Sequence, residues 1–387
     1  MNYANFPNPA YVLEQELLEK NLDLINYVAQ EAQVEIILAF KGFAMWSAFP
    51  VFNAKGFTKA TASSLFEARL CVEEMGSLAH TYSVIYTPQE IEEIAAMSSH
   101  LTFNSLIQYE RFHQIASEVN TKISFGLRVN PEFSQVATAL YDPCVAGSRL
   151  GILKTDLPNI LPANIEGFHF HALCESKAED LVLLLKSIEE KFASYLPQLK
   201  WINMGGGHLM TRKGYNVQLL IDTLKAFKER HPNLHIILEP GSAFAWETGC
   251  LLSRVEDIVC NAGIKTAILN ISFTAHLPDC LEMPYKPAVV GAIDPDTLSI
   301  LEQKKLKGFT YRLGGNSCLA GDVMGDWVFP KELGIGDLIV FKDMIHYTMV
   351  KTSMFNGVKH PAICIAKEGE AIYVKEFLYT DYKQRLS

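Results

Sequence analysis

Over the first two thirds of the chain, short runs rich in β-branched and aromatic residues alternate with longer stretches whose apolar residues recur at helical spacing. This alternation constrains the fold more than any other feature. Strands are expected at "EIILAFK" from Glu35, "FTKATAS" from Phe57, "HTYSVIY" from His80, "LTFNS" from Leu101 and "KISFGLRVN" from Lys122, then at "IEGFHFHA" from Ile165, "WINMGGG" from Trp201 and "HIILEPG" from His235. Helices are expected at "PQEIEEIAAMSS", "SLIQYERFHQIASEV", "EDLVLLLKSIEEKFASYL" and "NVQLLIDTLKAFKERH". Pro88 is placed at the first helical position of the first of these, ahead of an acidic first turn. Eight strands with intervening helices suggest a parallel (β/α)8 barrel of the TIM type, although an open doubly wound sheet would show the same alternation.

After about Glu247 the texture changes to short alternating runs, glycine turns and prolines: "AVVGAI", "FTYRLGG", "GDLIVFKDM", "AICIAKEGEAIYVKEF". This predicts an antiparallel β-domain, joined by the opening "AYVLE". The expected division is therefore 13–248 for the barrel, and 1–12 with 249–387 for the β-domain. A net charge of -9 argues against nucleic acid as a partner and suits a cationic ligand. No apolar run approaches the ~18 residues of a membrane span. The eight cysteines include no CxxC pair and the N-terminus has no signal-like core, so reduced thiols and a cytoplasmic location are expected.

In a parallel barrel, chemistry sits at the C-terminal ends of the strands. Lys41 ends "ILAFK", where an amine is either a snorkelling side chain or one kept for Schiff-base formation. His171 ends "GFHFHA", on the same face as His169. It can be read as a core histidine, a ring stacking on a flat ligand or, with Cys174, a metal ligand. Gly205, Gly206 and Gly207 form either a turn or a cradle whose N–H groups face a phosphate. Glu239 ends "HIILE" and requires a partner: a loop cation or a protonated pyridine nitrogen. An amine for an aldehyde, a flat ring, a phosphate cradle and a carboxylate for a pyridinium jointly describe pyridoxal 5′-phosphate.

On these residues the chain resembles the fold III pyridoxal-phosphate decarboxylases, the alanine racemase/ornithine decarboxylase-like fold shared by ornithine, diaminopimelate and carboxynorspermidine decarboxylases. The resemblance implies that Lys41 is the Schiff-base lysine, His171 the ring-stacking histidine, Gly205 to Gly207 the phosphate loop and Glu239 the pyridinium partner. In the β-domain, "GGNSCLAGD" is similar to the family's G-x-x-C-x-x-x-D element, which implies a proton donor at Cys318 and a substrate carboxylate at Asp322. "HYTMVKTSMFNG" is similar to the segment whose tyrosine, here Tyr347, holds the cofactor phosphate. Two departures narrow the choice. Ser242 follows EPG where ornithine and diaminopimelate decarboxylases have arginine, and Leu319 follows the cysteine where ornithine decarboxylases have aspartate.

"YDPCVAGSRLGI", "HALCE", "EPGSAFAWETG" and "HLPDCLEMPYKP" resemble the branch acting on carboxynorspermidine or carboxyspermidine. The implied reaction releases CO2 and norspermidine or spermidine. The polyamine tail would meet Asp279, Asp322 and His276, while Glu282 reads as a solvated charge. Arg128 and Arg149 are open between orienting a ligand and structural ion pairing. The resemblance also implies a homodimer in which the cysteine-bearing loop of one subunit completes the other's site. The alternatives are another fold III amino-acid decarboxylase, such as one for diaminopimelate, and a non-catalytic regulator of the same fold.

Overall fold

The computed structural model describes residues 3–136 and 138–387. The chain divides into two compact units, one of Glu19–Phe244 and one combining the residues up to Leu18 with Ala245–Ser387. The expected division began the barrel at 13 and ended it at 248, whereas here the residues up to Leu18 and those from Ala245 onward belong to the other unit.

After β1 (Ala10–Glu14), the chain lays down β2 (Glu35–Ile36), β3 (Leu38–Ala39), β4 (Ala60–Ala62), β5 (Ala79–Tyr82), β6 (Ser98–Phe103), β7 (Ser124–Arg128), β8 (Ile165–His169), β9 (Trp201–Asn203) and β10 (His235–Leu238). From β2 to β10 these form one parallel sheet, ordered β2-β10-β9-β8-β7-β6-β5-β4-β3. β2 and β3 are two parts of one extended run interrupted at Ile37. One part bonds to β10 and the other to β4, so the sheet closes on itself as an eight-stranded barrel. The doubly wound alternative is excluded by this closure.

Local chemistry sets the helices. Ser105 accepts the Gln108 N–H at the start of Leu106–Val119, and Asn216 accepts the Leu219 N–H at the start of Val217–Arg230. Pro88 is not a first helical residue. It lies in a turn before Ile91–Ala96, whose Ile91 N–H bonds back to the Thr87 carbonyl.

The sequence around Lys41 is pinned from both sides. Phe40 and Phe43 are fully buried; Phe40 stacks on Phe49 with centroids 5.3 Å apart, and Phe43 stacks on Phe52 at 5.6 Å. Each such ring contributes on the order of 1.5–3 kcal/mol by burial, so the intervening Lys41-Gly42 turn has little freedom. Gly42 does not make room for a ligand. A Cβ there would stand 2.7 Å from Gly241 Cα, so the residue is glycine because the Glu239-Pro240-Gly241 turn crosses it in near contact.

In the other unit, β1 is central. The remaining strands are β11 (Gly249–Asn261), β12 (Ile264–Leu269), β13 (Phe309–Gly314), β14 (Val323–Phe329), β15 (Leu338–Lys342), β16 (Ala362–Lys367) and β17 (Glu370–Lys375). The order is β14-β13-β12-β11-β1-β16-β17, with β15 also on β11. The sheet is mostly antiparallel, but β1 with β16 and β12 with β13 are parallel, each pair joined by a long excursion instead of a hairpin. Val12, Cys250, Leu252, Val340, Ala362 and Cys364 pack its core. "AVVGAI" forms no strand and touches the sheet through single bridges, Val289 to Phe341 and Ile293 to Val328. Among the described residues no helix is long and apolar enough to cross a membrane.

Candidate active site

Four expected features, Lys41, His171, the Gly205–Gly207 turn and Glu239, converge at the C-terminal mouth of the barrel. Lys41 Nζ lies 3.0 Å from His171 Nε2, and the Gly206 N–H donates to His171 Nδ1 at 3.0 Å. Nδ1 therefore carries the ring's lone pair and a neutral ring carries its proton on Nε2, facing the lysine. That proton is donated only to an amine with a free lone pair. Burial of Lys41 works the same way: it pushes the ammonium below its ordinary range, with Arg128 adding to the effect and Glu239 opposing it. Burial, together with Lys41 and Arg128, holds His171 well below the usual histidine range. Both shifts run toward the neutral form of each group.

The glycine turn is built by close approach. Gly205 and Gly207 have φ of +72° and +87°, and a Cβ on Gly205, Gly206 or Gly207 would come within 2.6, 2.6 and 2.3 Å of neighbouring backbone. The turn thus folds directly over the ends of β8 and β10. One of its amides, that of Gly206, holds the His171 ring.

Glu239 is 6 % exposed. Asn203 Nδ2 donates to Oε2 at 2.9 Å, and His169 Nε2 lies 3.1 Å from Oε1. Burial alone would raise this carboxyl; His169, Lys41 and the Asn203 amide reverse the effect and hold it well below the usual carboxylate range. Asn203 Oδ1 also accepts the Gly205 N–H at 2.9 Å, tying the carboxylate to the glycine turn. Arg128 is buried, with its guanidinium 4.6 Å over the Tyr82 ring and an N–H directed at the His171 carbonyl at 3.4 Å. Arg149 is exposed.

The β unit gathers the second group. Cys318 is exposed on the loop from Gly315 to Asp322, and its N–H donates to Asn356 Oδ1 at 3.0 Å. Asp322 was expected to face substrate. Instead it is 3 % exposed, and its oxygens accept the N–H groups of Phe273 (2.7 Å), Thr274 (3.1 Å) and Ser317 (3.1 Å). Its carboxylate fastens the cysteine loop to the short helix Phe273–His276. Asp279, 8 % exposed, and Glu282 each accept from Lys351 Nζ at 2.6 Å, so Glu282 is no free solvated charge. His276 is fully buried. Its Nδ1 accepts the Ser272 N–H, and burial lowers its pKa to about 3. Tyr347 sits at φ +47°, a left-handed conformation costly for a bulky side chain, and its carbonyl accepts the Val350 and Lys351 N–H groups.

Sequence reasoning missed Asn203, Asn356 and Lys351. A polar residue ending the apolar run "WIN" just before the glycines was a usable signal for Asn203. The other two act across 38 and 72 residues of chain and carried no local signal.

The family model described as pyridoxal-dependent decarboxylase, C-terminal sheet domain, matches residues 11–345. The chain is 49% identical over 384 residues to carboxyaminopropylagmatine decarboxylase of Synechocystis sp., covering 99% of this chain and 96% of that one. It is 43% identical over 393 residues to carboxynorspermidine/carboxyspermidine decarboxylase of Campylobacter jejuni, covering all of both. The crystal structure of carboxynorspermidine decarboxylase complexed with norspermidine from Campylobacter jejuni superposes with a TM-score of 0.88 at 41% identity, covering 98% of this chain and 100% of that one. The chain belongs to the pyridoxal-dependent decarboxylases of fold III.

Proposed function

We propose that this enzyme decarboxylates carboxynorspermidine or carboxyspermidine, releasing norspermidine or spermidine. The observation that carries this reading is full-length likeness, at 43% identity, to an enzyme named for both compounds. The β unit is consistent with a cationic tail, since two carboxylates, Asp279 and Glu282, share one lysine and leave net negative charge.

The barrel cluster suits pyridoxal 5′-phosphate in its amine and its buried anionic carboxylate, while the Gly205 and Gly206 amides of the glycine turn are engaged by Asn203 and His171, so the phosphate would meet the turn at Gly207. When bound, the cofactor supplies an aldehyde and a pyridine ring that takes up the electron pair left when the bond to CO2 breaks. Lys41 would offer that aldehyde its amine, and the Gly205–Gly207 turn and Tyr347 would receive the phosphate. His171 would lie against the ring, and Glu239 would keep the pyridine nitrogen protonated. Cys318 gives its Sγ proton to the carbon that lost CO2, and solvent restores the thiol. Asp279 receives a tail ammonium in exchange with Lys351, with His276 behind it. The geometry of Asp322 supports a role in holding the Cys318 loop in place of contact with substrate. A cytoplasmic homodimer, with the Cys318 loop of one subunit serving the barrel of the other, belongs to the same proposal.

A second reading is favoured by the 49% identity to the Synechocystis enzyme: a carboxyaminopropylagmatine substrate, whose tail ends in a planar guanidinium in place of an ammonium. The test is kcat/KM on the three substrates with diaminopimelate as control. Carboxynorspermidine and carboxyspermidine differ by one methylene, worth only ~1–3 kcal/mol, so both should turn over. A clear preference for carboxyaminopropylagmatine selects the second reading. Turnover of diaminopimelate alone overturns both.

A further inference from the structure

Behind Glu239 the barrel interior is polar. His80, Tyr82, Thr102, His169, Asn203 and Glu239 all border one chamber with about 10 Å³ open to a water's centre, room for about one molecule. His169 forms its wall and is 2 % exposed, with Nε2 3.1 Å from Glu239 Oε1. Among the described residues neither ring nitrogen makes a hydrogen bond, so Nε2 meets Oε1 as a close polar contact.

The ring is also held from the side. The Tyr82 ring meets it edge to face at 5.2 Å, and Arg128 covers Tyr82 at 4.6 Å. Strand register explains the layer: His169 pairs with Asn203 across β8 and β9, and Asn203 with Ile237 across β9 and β10. Glu239, two residues beyond Ile237, thus faces one polar side chain from each of the two preceding strands.

We propose that His169 is a positioning residue for Glu239: its Nε2 edge faces Oε1 at contact distance, Asn203 holds Oε2, and a small turn of the ring against the polar chamber brings Nε2–H onto Oε1 when the carboxylate is engaged. The proposal rests on the reading of Glu239 as the partner of the cofactor's pyridine nitrogen. Two neutral donors orient a carboxylate without cancelling its charge, so the full negative charge remains available to the ring. A protonated His169 would compete for it, and burial disfavours that form.

The test uses three substitutions, with pyridoxal 5′-phosphate titrated into apoprotein by absorbance and steady-state kinetics on the reconstituted enzyme. His169→Leu and His169→Asn lose the donor at the Nε2 position, and each should weaken cofactor affinity and lower kcat by roughly 10- to 100-fold. His169→Gln places an amide nitrogen near the same point and should recover most of both. If the leucine variant fails to fold, the Asn and Gln pair carries the comparison. Wild-type cofactor affinity in His169→Asn, or equal losses in the Asn and Gln variants, overturns the proposal. Glu239→Gln separates the two levels. If it is impaired while His169→Asn is not, only the positioning role falls. If Glu239→Gln itself matches wild type, the reading of Glu239 falls and His169 with it.

Discussion

The barrel cluster and the cysteine cluster reach order by different means. In the barrel, Lys41, His169, Asn203 and Glu239 stand at or just beyond the ends of parallel strands whose hydrogen bonds fix their spacing, and Phe40 and Phe43 lock the lysine turn from below. In the β unit, Cys318, Asp279, Lys351 and Asn356 lie outside the strands, on loops and a one-turn helix that are tied to one another. Asp322 binds the 273–274 amides, Asn356 the Cys318 amide, Ser353 the Ala275 carbonyl and Lys351 the two acids. A strand-end site is rigid wherever its barrel folds, whereas a stitched site depends on each stitch. Single substitutions should therefore be absolute in the first region where they remove chemistry, and graded in the second.

The widest separation is expected between Lys41→Ala and Cys318→Ala. Removing the amine leaves the aldehyde without its nucleophile, so turnover should fall to background while the fold persists. Removing the thiol leaves water to protonate the carbon, a loss of about 10²–10⁴-fold with misplaced protonation among the products. Single-turnover assays with product analysis check both. Comparable rates for the two variants would erase the distinction between an attachment site and a proton donor.

The regions should also part under acid. In the barrel unit, burial lowers the pKa of His80 to about 3, and that of His100 and His208 to about 4, with His80 stacked on His100 at 3.9 Å. In the β unit burial lowers His276 to about 3, and lowers His360 as well. A histidine whose folded pKa is depressed binds its proton first in the unfolded chain. Its contribution is therefore complete above about pH 6.5 and lost as pH falls toward the folded value. At about pH 5 each such ring costs at most ~2 kcal/mol, and with His169 and His171 also depressed, five rings in the barrel unit outweigh two. Denaturant midpoints should fall steadily between about pH 6.5 and pH 4. Hydrogen exchange should show barrel peptides losing protection at higher pH than β-unit peptides. Simultaneous loss in both would mean that the buried histidines do not set the acid limit.

The same contrast explains what the sequence made legible. Lys41, His171 and Glu239 stood out because each breaks an apolar run at a strand end, a signal contained within about five residues. The alternation of runs located all eight barrel strands for the same reason, although it did not show the interruption at Ile37. Cys318 and Asp279 had no such local pattern and came into view through resemblance alone. Their supports, Asn356 and Lys351, came from neither. A stitched site is defined by contacts between distant segments, and period or polarity along the chain does not encode them. Asp322 likewise came into view through resemblance, as a substrate carboxylate, and nothing along the chain signals the three backbone N–H groups that its oxygens accept.

Asp322→Asn gives the smallest and most specific test of that stitching. The substitution keeps the shape, and one amide oxygen can still accept the Phe273 and Thr274 N–H groups. The amide nitrogen, however, then faces the Ser317 N–H, donor against donor, and leaves a partly buried group without an acceptor. The cost is ~1–3 kcal/mol, equivalent to a fall in melting temperature of about 2–4 °C per kcal/mol for a unit of this size. Because Ser317 adjoins Cys318, the loop should also loosen. Alkylation of Cys318 should accelerate and kcat should drop several-fold, while cofactor affinity, set in the barrel, stays at the wild-type value. If Asp322 instead contacts substrate, Asp322→Asn should raise KM with no change in alkylation rate or melting temperature, and its place among the stitches would be lost.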